Sequence, residues 1–293
     1  MKLITDPAAA RAVVPRPAAT TLIVRDAPGG AGLEVLMVRR SPHASFMPGA
    51  YVFPGGAVDA ADGSGEAAGA CDEAAETLAR RIGEVTQVGP QALAFAVAAL
   101  RECFEECGLW LRPPEERAAG PAGVSGASGA SGDDGAAARR AALRARLHGG
   151  EPLPALAREA GWPLATSALQ PWSHWVTPVG LPKRFDTLFF VAAEPPGQAP
   201  SVDAGETTTL AWVHPPAALR AHAAGEFQME FATVRTVESL APWAEQGAAA
   251  LLAHAAAQRH LPPLHPRLRL DPEGARMAIL LPGQPGYDEA TLR

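Results

Sequence analysis

The chain has 293 residues, 47% of them hydrophobic, a composition that specifies a packed core and excludes a disordered chain. Its formal net charge is −6 with scattered basic residues. That argues against a nucleic-acid binder or a protein docking on anionic membranes, and leaves room for a small phosphorylated ligand.

In chain order, ATTLIVRD and LEVLMVRRS are rich in β-branched and aliphatic residues and predict two strands joined through the turn APGGAG. AYVFPGGAV predicts a short strand closed by Pro54-Gly55-Gly56, where a glycine pair signals positive φ or a close approach of the backbone. Residues 57–90 are small and acidic, with a helix expected around Cys71–Ile82. Pro90–Cys107 carries the strongest helical pattern: Leu93, Val97, Leu100 and Phe104 form an apolar stripe, and Gly108 stands where a glycine ends a helix. Arg112–Ala136 contains GPAGVSGASGASGDDG, which predicts a flexible linker. Helical patterns resume over Ala137–His148 and Leu153–Ala160. WSHWVTP and RFDTLFFVAA then predict strands flanking the turn VGLPKR; TLAWVHP predicts another, and Pro216–Ala223 a helix. One or two helices over about Ala232–Ala257 and a late strand, RMAILLP, complete the pattern.

Three cysteines without a C-x-x-C pair read as reduced thiols, with Cys103 and Cys107 as small buried hydrophobes. The N-terminal apolar run is too short for a signal peptide, no stretch reaches the ~20 apolar residues of a membrane span, and the final TLR is no peroxisomal address. A cytoplasmic location and no membrane partner are the expectation.

The helix at 90–107 ends in LRECFEECGLWL, which crowds Glu102, Glu105 and Glu106 onto one face, almost opposite the apolar stripe. Like charges at three- and four-residue spacing cost a few tenths of a kcal/mol per exposed pair. They also stand at the helix end where the macrodipole disfavours negative charge. A solvated acidic face usually mixes in basic residues, and these turns offer Arg101 alone. A hard divalent cation would offset the repulsion and carry waters that a substrate phosphate can replace.

RECFEECGL, Arg101–Leu109, resembles the second half of the Nudix box, G-x(5)-E-x(7)-R-E-U-x-E-E-x-G-U, with Cys103 as the apolar residue; FPGG, Phe53–Gly56, resembles its beginning. Between Gly56 and Arg101 lie 44 residues where the box has thirteen, so 31 are inserted. The isolated box glutamate falls on Leu93 counted back from Arg101 and on Asp62 counted forward from Gly56, which leaves Asp59, Asp62 and Glu73 as candidates. FMPGAYVFPGG, LPKRFDTLFF and the W-x-x-W-x-T-P segment Trp172–Pro178 are similar to one branch of the family, the long Nudix hydrolases like the peroxisomal coenzyme A diphosphatase of mammals.

The resemblance implies a three-layer α/β/α Nudix sandwich with a mixed sheet, an insertion inside the box and extra helices. Its expected limits are residues 18–237, with 57–92 inserted in the box, 112–136 a linker, 137–161 a helical insertion and 238–293 a C-terminal extension. It implies Mg²⁺- or Mn²⁺-dependent hydrolysis of a nucleoside diphosphate derivative, coenzyme A or acyl-CoA first, with ADP-ribose, a dinucleotide or a non-catalytic nucleotide-binding role as alternatives. Glu102, Glu105 and Glu106 are the implied metal ligands, and Arg101 would orient them through a salt bridge. Glu206 is the favoured further ligand or general base, ahead of Asp203 and Glu230. Gly55 and Gly56 would let the backbone approach the metals. Arg39, Arg40, Lys183 and Arg184 are candidates for substrate contact.

Overall fold

The computed structural model describes residues 3–4, 6–30, 32–43, 47–114, 131–202, 207–270 and 277–290. After a short helix α1 (Pro7–Ala12), strands β1 (Arg16–Asp26) and β2 (Leu33–Arg40) form the expected antiparallel hairpin, with Val24 opposite Val35. The pair then splays. The AYVFPGGAV segment enters the gap as two strands rather than one: β3 (Tyr51–Val52) pairs with β2 and β4 (Gly55–Ala57) pairs with β1. Pro54 lacks the N–H a continuous strand would donate, and its carbonyl accepts from Thr21 N.

Three later strands complete a seven-stranded sheet: β5 (Gln170–Val176), β6 (Phe185–Ala193) and β7 (Thr207–Val213). β6 runs parallel to β1 while the other pairings are antiparallel, so the sheet is mixed. Side chains alternate along each strand, and both faces are buried. Ile23, Leu36 and Phe190 enter one core, whereas Leu22, Val35 and Val191 enter the other. That double burial explains why β1, β2 and β6 read as nearly continuous apolar runs.

On the first face lies α4 (Ala92–Cys107), its Val97, Leu100 and Phe104 buried and Gly108 closing it at φ 69°. Thr21 Oγ1 donates to the Ala99 carbonyl at 3.0 Å, pinning the helix to β1. Burying each such large side chain contributes roughly 1.5–3 kcal/mol, well above the few tenths that like-charged neighbours cost on the opposite face. Outside α4 pack α2 (Gly65–Ala70) and α3 (Ala75–Leu78), the latter continuing as a π-helix over Ala79–Glu84. The helix expected from Cys71 thus starts four residues later. Cys71 instead forms a bridge with Leu164, and the Asp72 carboxylate accepts from Thr166 Oγ1 at 2.9 Å.

Two further helices, α5 (Ser131–His148) and α6 (Leu153–Ala160), finish this layer. α5 begins inside the segment expected as linker. Its opening Ser-Gly-Asp-Asp looks like linker by composition, yet Ser and Asp are also the residue types favoured at a helix start.

The second face is covered by α7 (Pro215–Ala223), α8 (Phe231–Leu240) and α9 (Gly247–Ala257). Leu240, Ala248, Leu251 and Ala255 belong to the same core as Leu22 and Met37. The segment after residue 237, expected as an extension, therefore supplies part of the third layer, because α9 has an apolar side that only the sheet can bury. The fold is the α/β/α sandwich that the resemblance implies. The late strand is β9 (Met277–Leu280), paired with β8 (Arg267–Leu270) in a separate hairpin. Among the described residues, no helix is long and apolar enough to cross a membrane.

Candidate active site

The splay of β1 from β2 puts the double-glycine strand directly against the acidic end of α4. Gly55 N donates to Glu106 Oε2 at 3.1 Å, and Glu106 is only 5% exposed. A Cβ on Gly56 would fall 2.4 Å from Glu102 Oε1, so only glycine allows this approach. The glutamate oxygens thus gather at the glycine loop instead of fanning into solvent.

Arg101 holds the group together. Its Nη2 donates to the Ala57 carbonyl at 2.7 Å and its Nη1 to Glu102 Oε1 at 2.8 Å and Glu105 Oε2 at 3.3 Å. The other side of the guanidinium faces Asp62, with Nε 3.1 Å from Oδ1 and Nη2 3.1 Å from Oδ2. Asp62 is fully buried. Asp59 is 65% exposed and 3.7 Å from Nη2, and Glu73 pairs instead with Arg81 at 2.6 Å. Of the three candidate acids, Asp62 therefore takes the arginine. It is also the residue reached by counting forward from Gly56, so the 31 inserted residues lie between the acid and the arginine.

Burial pushes Glu102 up to about 7, against the pull of Arg101 and with help from Glu105. For Arg101, burial opposes its charge, but the Asp62 hydrogen bond and the Glu102 charge outweigh it and raise its pKa. Glu105 is the most open of the three, 30% exposed against 14% for Glu102. The donor set suits a hard cation: carboxylate oxygens only, with desolvated negative charge that a single arginine does not balance. Among the described residues no three acidic, histidine or cysteine side chains close around one point, since Arg101 Nη1 draws Glu102 and Glu105 to itself.

The family model described as the NUDT19 Nudix domain matches residues 8–87 and 68–236. The chain belongs to this family. Among curated proteins it resembles the acyl-coenzyme A diphosphatase NUDT19 of Homo sapiens, 32% identical over 215 residues, covering 64% of this chain and 55% of that protein. The Gallus gallus protein of the same name is 32% identical over 243 residues, covering 70% and 62%. The chain thus spans little more than half the length of these relatives. The solved NUDIX hydrolase from Alicyclobacillus acidocaldarius matches at 27% identity and TM-score 0.62, over 83% of this chain and 97% of that one.

The other residues expected at the Nudix site divide. Arg39 follows Val35 and Met37 in the alternation of β2. It therefore lies on the sheet face away from α4, where its guanidinium sits 5.8 Å from the Tyr51 ring and donates to the Gly49 carbonyl. Arg40 follows a bulge and pairs along its backbone with Thr207. Arg184 donates to the Thr177 and Val13 carbonyls at 3.0 and 2.8 Å, so it ties the N-terminal segment to the sheet, while Lys183 is exposed. Glu230 begins α8 on the opposite face. Glu206 and Asp203 lie outside the described residues.

Two residues that sequence reading passed over do reach the Nudix helix, both from α5. Arg144 Nε donates to the Glu105 carbonyl at 2.8 Å, and His148 Nδ1 stands 3.7 Å from Glu105 Oε1. Arg144 places positive charge at the helix C-terminus, where the macrodipole favours it. Their four-residue spacing was visible, but nothing local says where an inserted helix docks. Cys103 and Cys107 are buried in the core, and burial pushes the Cys103 thiol up to about 12.

The Glu102 shift carries a sign that can be measured. An unfolded glutamate titrates near 4.5, so the folded chain holds the extra proton between that pH and about 7. The group's stabilising contribution is complete below about 4.5 and is lost as pH rises through 7, by up to about 3 kcal/mol in metal-free protein. Urea unfolding with chelator should find Glu102→Gln gaining on wild type between pH 5 and pH 8. An equal difference at both pH values would contradict the assignment.

Proposed function

We propose that this chain hydrolyses the diphosphate bridge of a nucleoside diphosphate derivative of the coenzyme A or acyl-CoA type, with Mg²⁺ or Mn²⁺ held by Glu102, Glu105 and Glu106. The observation that carries the reading is the clasp of Asp62, Arg101 and the Ala57 carbonyl, which holds Glu102 and Glu105 through Arg101 beside the glycine loop whose Gly55 N–H holds Glu106. The naming of the human and chicken relatives as acyl-coenzyme A diphosphatases supports the substrate class. A non-catalytic nucleotide-binding role draws its support from a missing box acid, and the Asp62–Arg101 pair supports the hydrolase reading instead.

In the reaction, water attacks one phosphorus, the bridging P–O bond breaks, and two phosphomonoesters leave. A bound divalent cation supplies Lewis acidity at the phosphoryl oxygens and offsets their charge. Glu106, fixed by the Gly55 N–H, and Glu102, fixed by Arg101, hold their carboxylates in place before substrate arrives, which lowers the cost of reorganisation. Glu105, the most solvent-open of the three, accepts the proton of the attacking water. Gly56, with no side chain, lets the loop lie directly against the Glu102 carboxylate.

The test is a panel of diphosphates (coenzyme A, an acyl-CoA, ADP-ribose and a reduced dinucleotide) incubated with Mg²⁺ or Mn²⁺, with products read by mass. Coenzyme A compounds are expected to give two phosphomonoesters, and chelator to stop the reaction. At a cation concentration near 100 times its dissociation constant, thermal unfolding should show stabilisation of about 2.7 kcal/mol. A melting temperature indifferent to both ions would overturn the metal assignment.

A further inference from the structure

We propose that a cavity at the β5 edge of the sheet binds a small aliphatic carboxylate. The cavity has a volume of about 300 Å³, at the lower end of the ~300–1,000 Å³ of small-molecule sites. α3 and the π-helix over Ala79–Glu84 form one wall, the start of β5 a second and the end of α9 a third. It shares no lining residue with the candidate active site, so the inference stands apart from the hydrolase reading.

Two backbone irregularities meet at the cavity. In β5, Pro171 has no N–H for the ladder, and the register with β6 shifts between Pro171 and Ser173. Across from the strand the helix is wound as π, a rare form frequent at functional sites. The π-turn is firmly seated. A Cβ on Gly83 would fall 2.5 Å from the Gly89 carbonyl oxygen, and Leu261 N donates to the Val85 carbonyl at 2.7 Å. Val85, Pro171 and Ala255 give the cavity an apolar floor, the last two fully in the interior.

Three arginines line the cavity and no acid does. Arg81 is already spent: it pairs with Glu73 and donates to the Thr166 and Leu169 carbonyls. Arg259, just past the end of α9, donates through Nη1 to the Ala256 and Gln258 carbonyls at 3.0 and 2.9 Å. Those neutral acceptors fix its guanidinium at the rim without cancelling its charge. Among the described residues no acid pairs with Arg80 or Arg259. The rim thus carries two positive charges above an apolar floor, in a chain of net charge −6. A carboxylate accepts from an arginine fork two bonds at a time, and the hydrocarbon behind it covers Val85, Pro171 and Ala255. Inorganic phosphate has no apolar body for that floor, and a neutral alcohol has no charge to set between the arginines. An occupant joins the segment inserted in the box to α9, on the other face of the sheet.

The experiment is calorimetric titration of the full chain with hexanoate, octanoate and decanoate, and with octanol as the uncharged counterpart. At least one carboxylate should bind, at least tenfold more tightly than octanol. The double variant Arg80→Gln with Arg259→Gln should weaken that binding at least tenfold, and Arg80→Lys with Arg259→Lys should recover part of the loss. Ala256→Trp, which fills the cavity from its wall, should abolish it. All three positions are exposed, so the variants should keep the wild-type melting temperature without ligand. In wild type, bound carboxylate should slow amide hydrogen exchange over residues 79–85 and 255–259. The proposal is overturned if no carboxylate in the series binds, if octanol binds equally well, or if either the double Gln variant or Ala256→Trp keeps wild-type affinity. Displacement by millimolar inorganic phosphate would overturn it too. None of these readouts uses turnover, so a chain that cleaves no diphosphate leaves the test intact.

Discussion

Glu106→Gln is expected to lower kcat/KM for the diphosphate substrate more than about a hundredfold, since even outer partners of a metal ligand cost 10–100-fold when removed. The substitution is nearly isosteric, and the amide oxygen of Gln can still accept from Gly55 N, at 3.1 Å from the native oxygen. The fold should therefore stay within about 1 kcal/mol of wild type. What is lost is the formal charge on a nearly buried group. Steady-state kinetics beside urea unfolding separates the two effects. Full activity in Glu106→Gln with cation present would remove this residue from the site, and loss of activity together with loss of fold would leave it a structural role only.

The second large effect falls on Asp62. Its carboxylate is fully buried and faces Nε and Nη2 of an arginine that is itself buried. Asp62→Ala leaves that guanidinium without its deepest partner, and breaking a buried pair in this way costs roughly 3–5 kcal/mol. Turnover should fall as well, because Arg101 also positions Glu102 and the Ala57 carbonyl. Glu73→Ala serves as the comparison: Arg81 keeps the Leu169 and Thr166 carbonyls as acceptors and is partly exposed, so the cost should be smaller. If the two alanine variants unfold at the same urea concentration, Asp62 is not the keystone of the cluster.

Much of this was legible in the sequence. The β1–β2 hairpin, α4 with its terminal Gly108, and the clustered glutamates each follow from local spacing, and spacing reports what a chain segment does to itself. The acid that meets Arg101 was not legible, because two ways of counting disagreed and only packing could choose between them. Arg39 illustrates the same limit: its number places it beside the glycine loop, while strand alternation turns it to the other face. The role of α9 in the third layer and the docking of α5 on the Nudix helix depend on distant contacts that no local pattern encodes. The basic dipeptides gave no local signal of their packing: Arg184 donates to the Thr177 and Val13 carbonyls, while Lys183 beside it is exposed.

The 31-residue excursion leaves just after Asp62 and rejoins at α4, and its two mouths meet: a Cβ on Gly63 would sit 3.3 Å from that of Ala94. A detour that departs and returns at one point transmits no change of length to what lies on either side. Its outer turns are thus free to grow or shrink, each doubling costing only about 0.6 kcal/mol in closure entropy. Ala67, Leu78 and Ile82, which it sends into the core, mark how far trimming can go before apolar surface is laid bare.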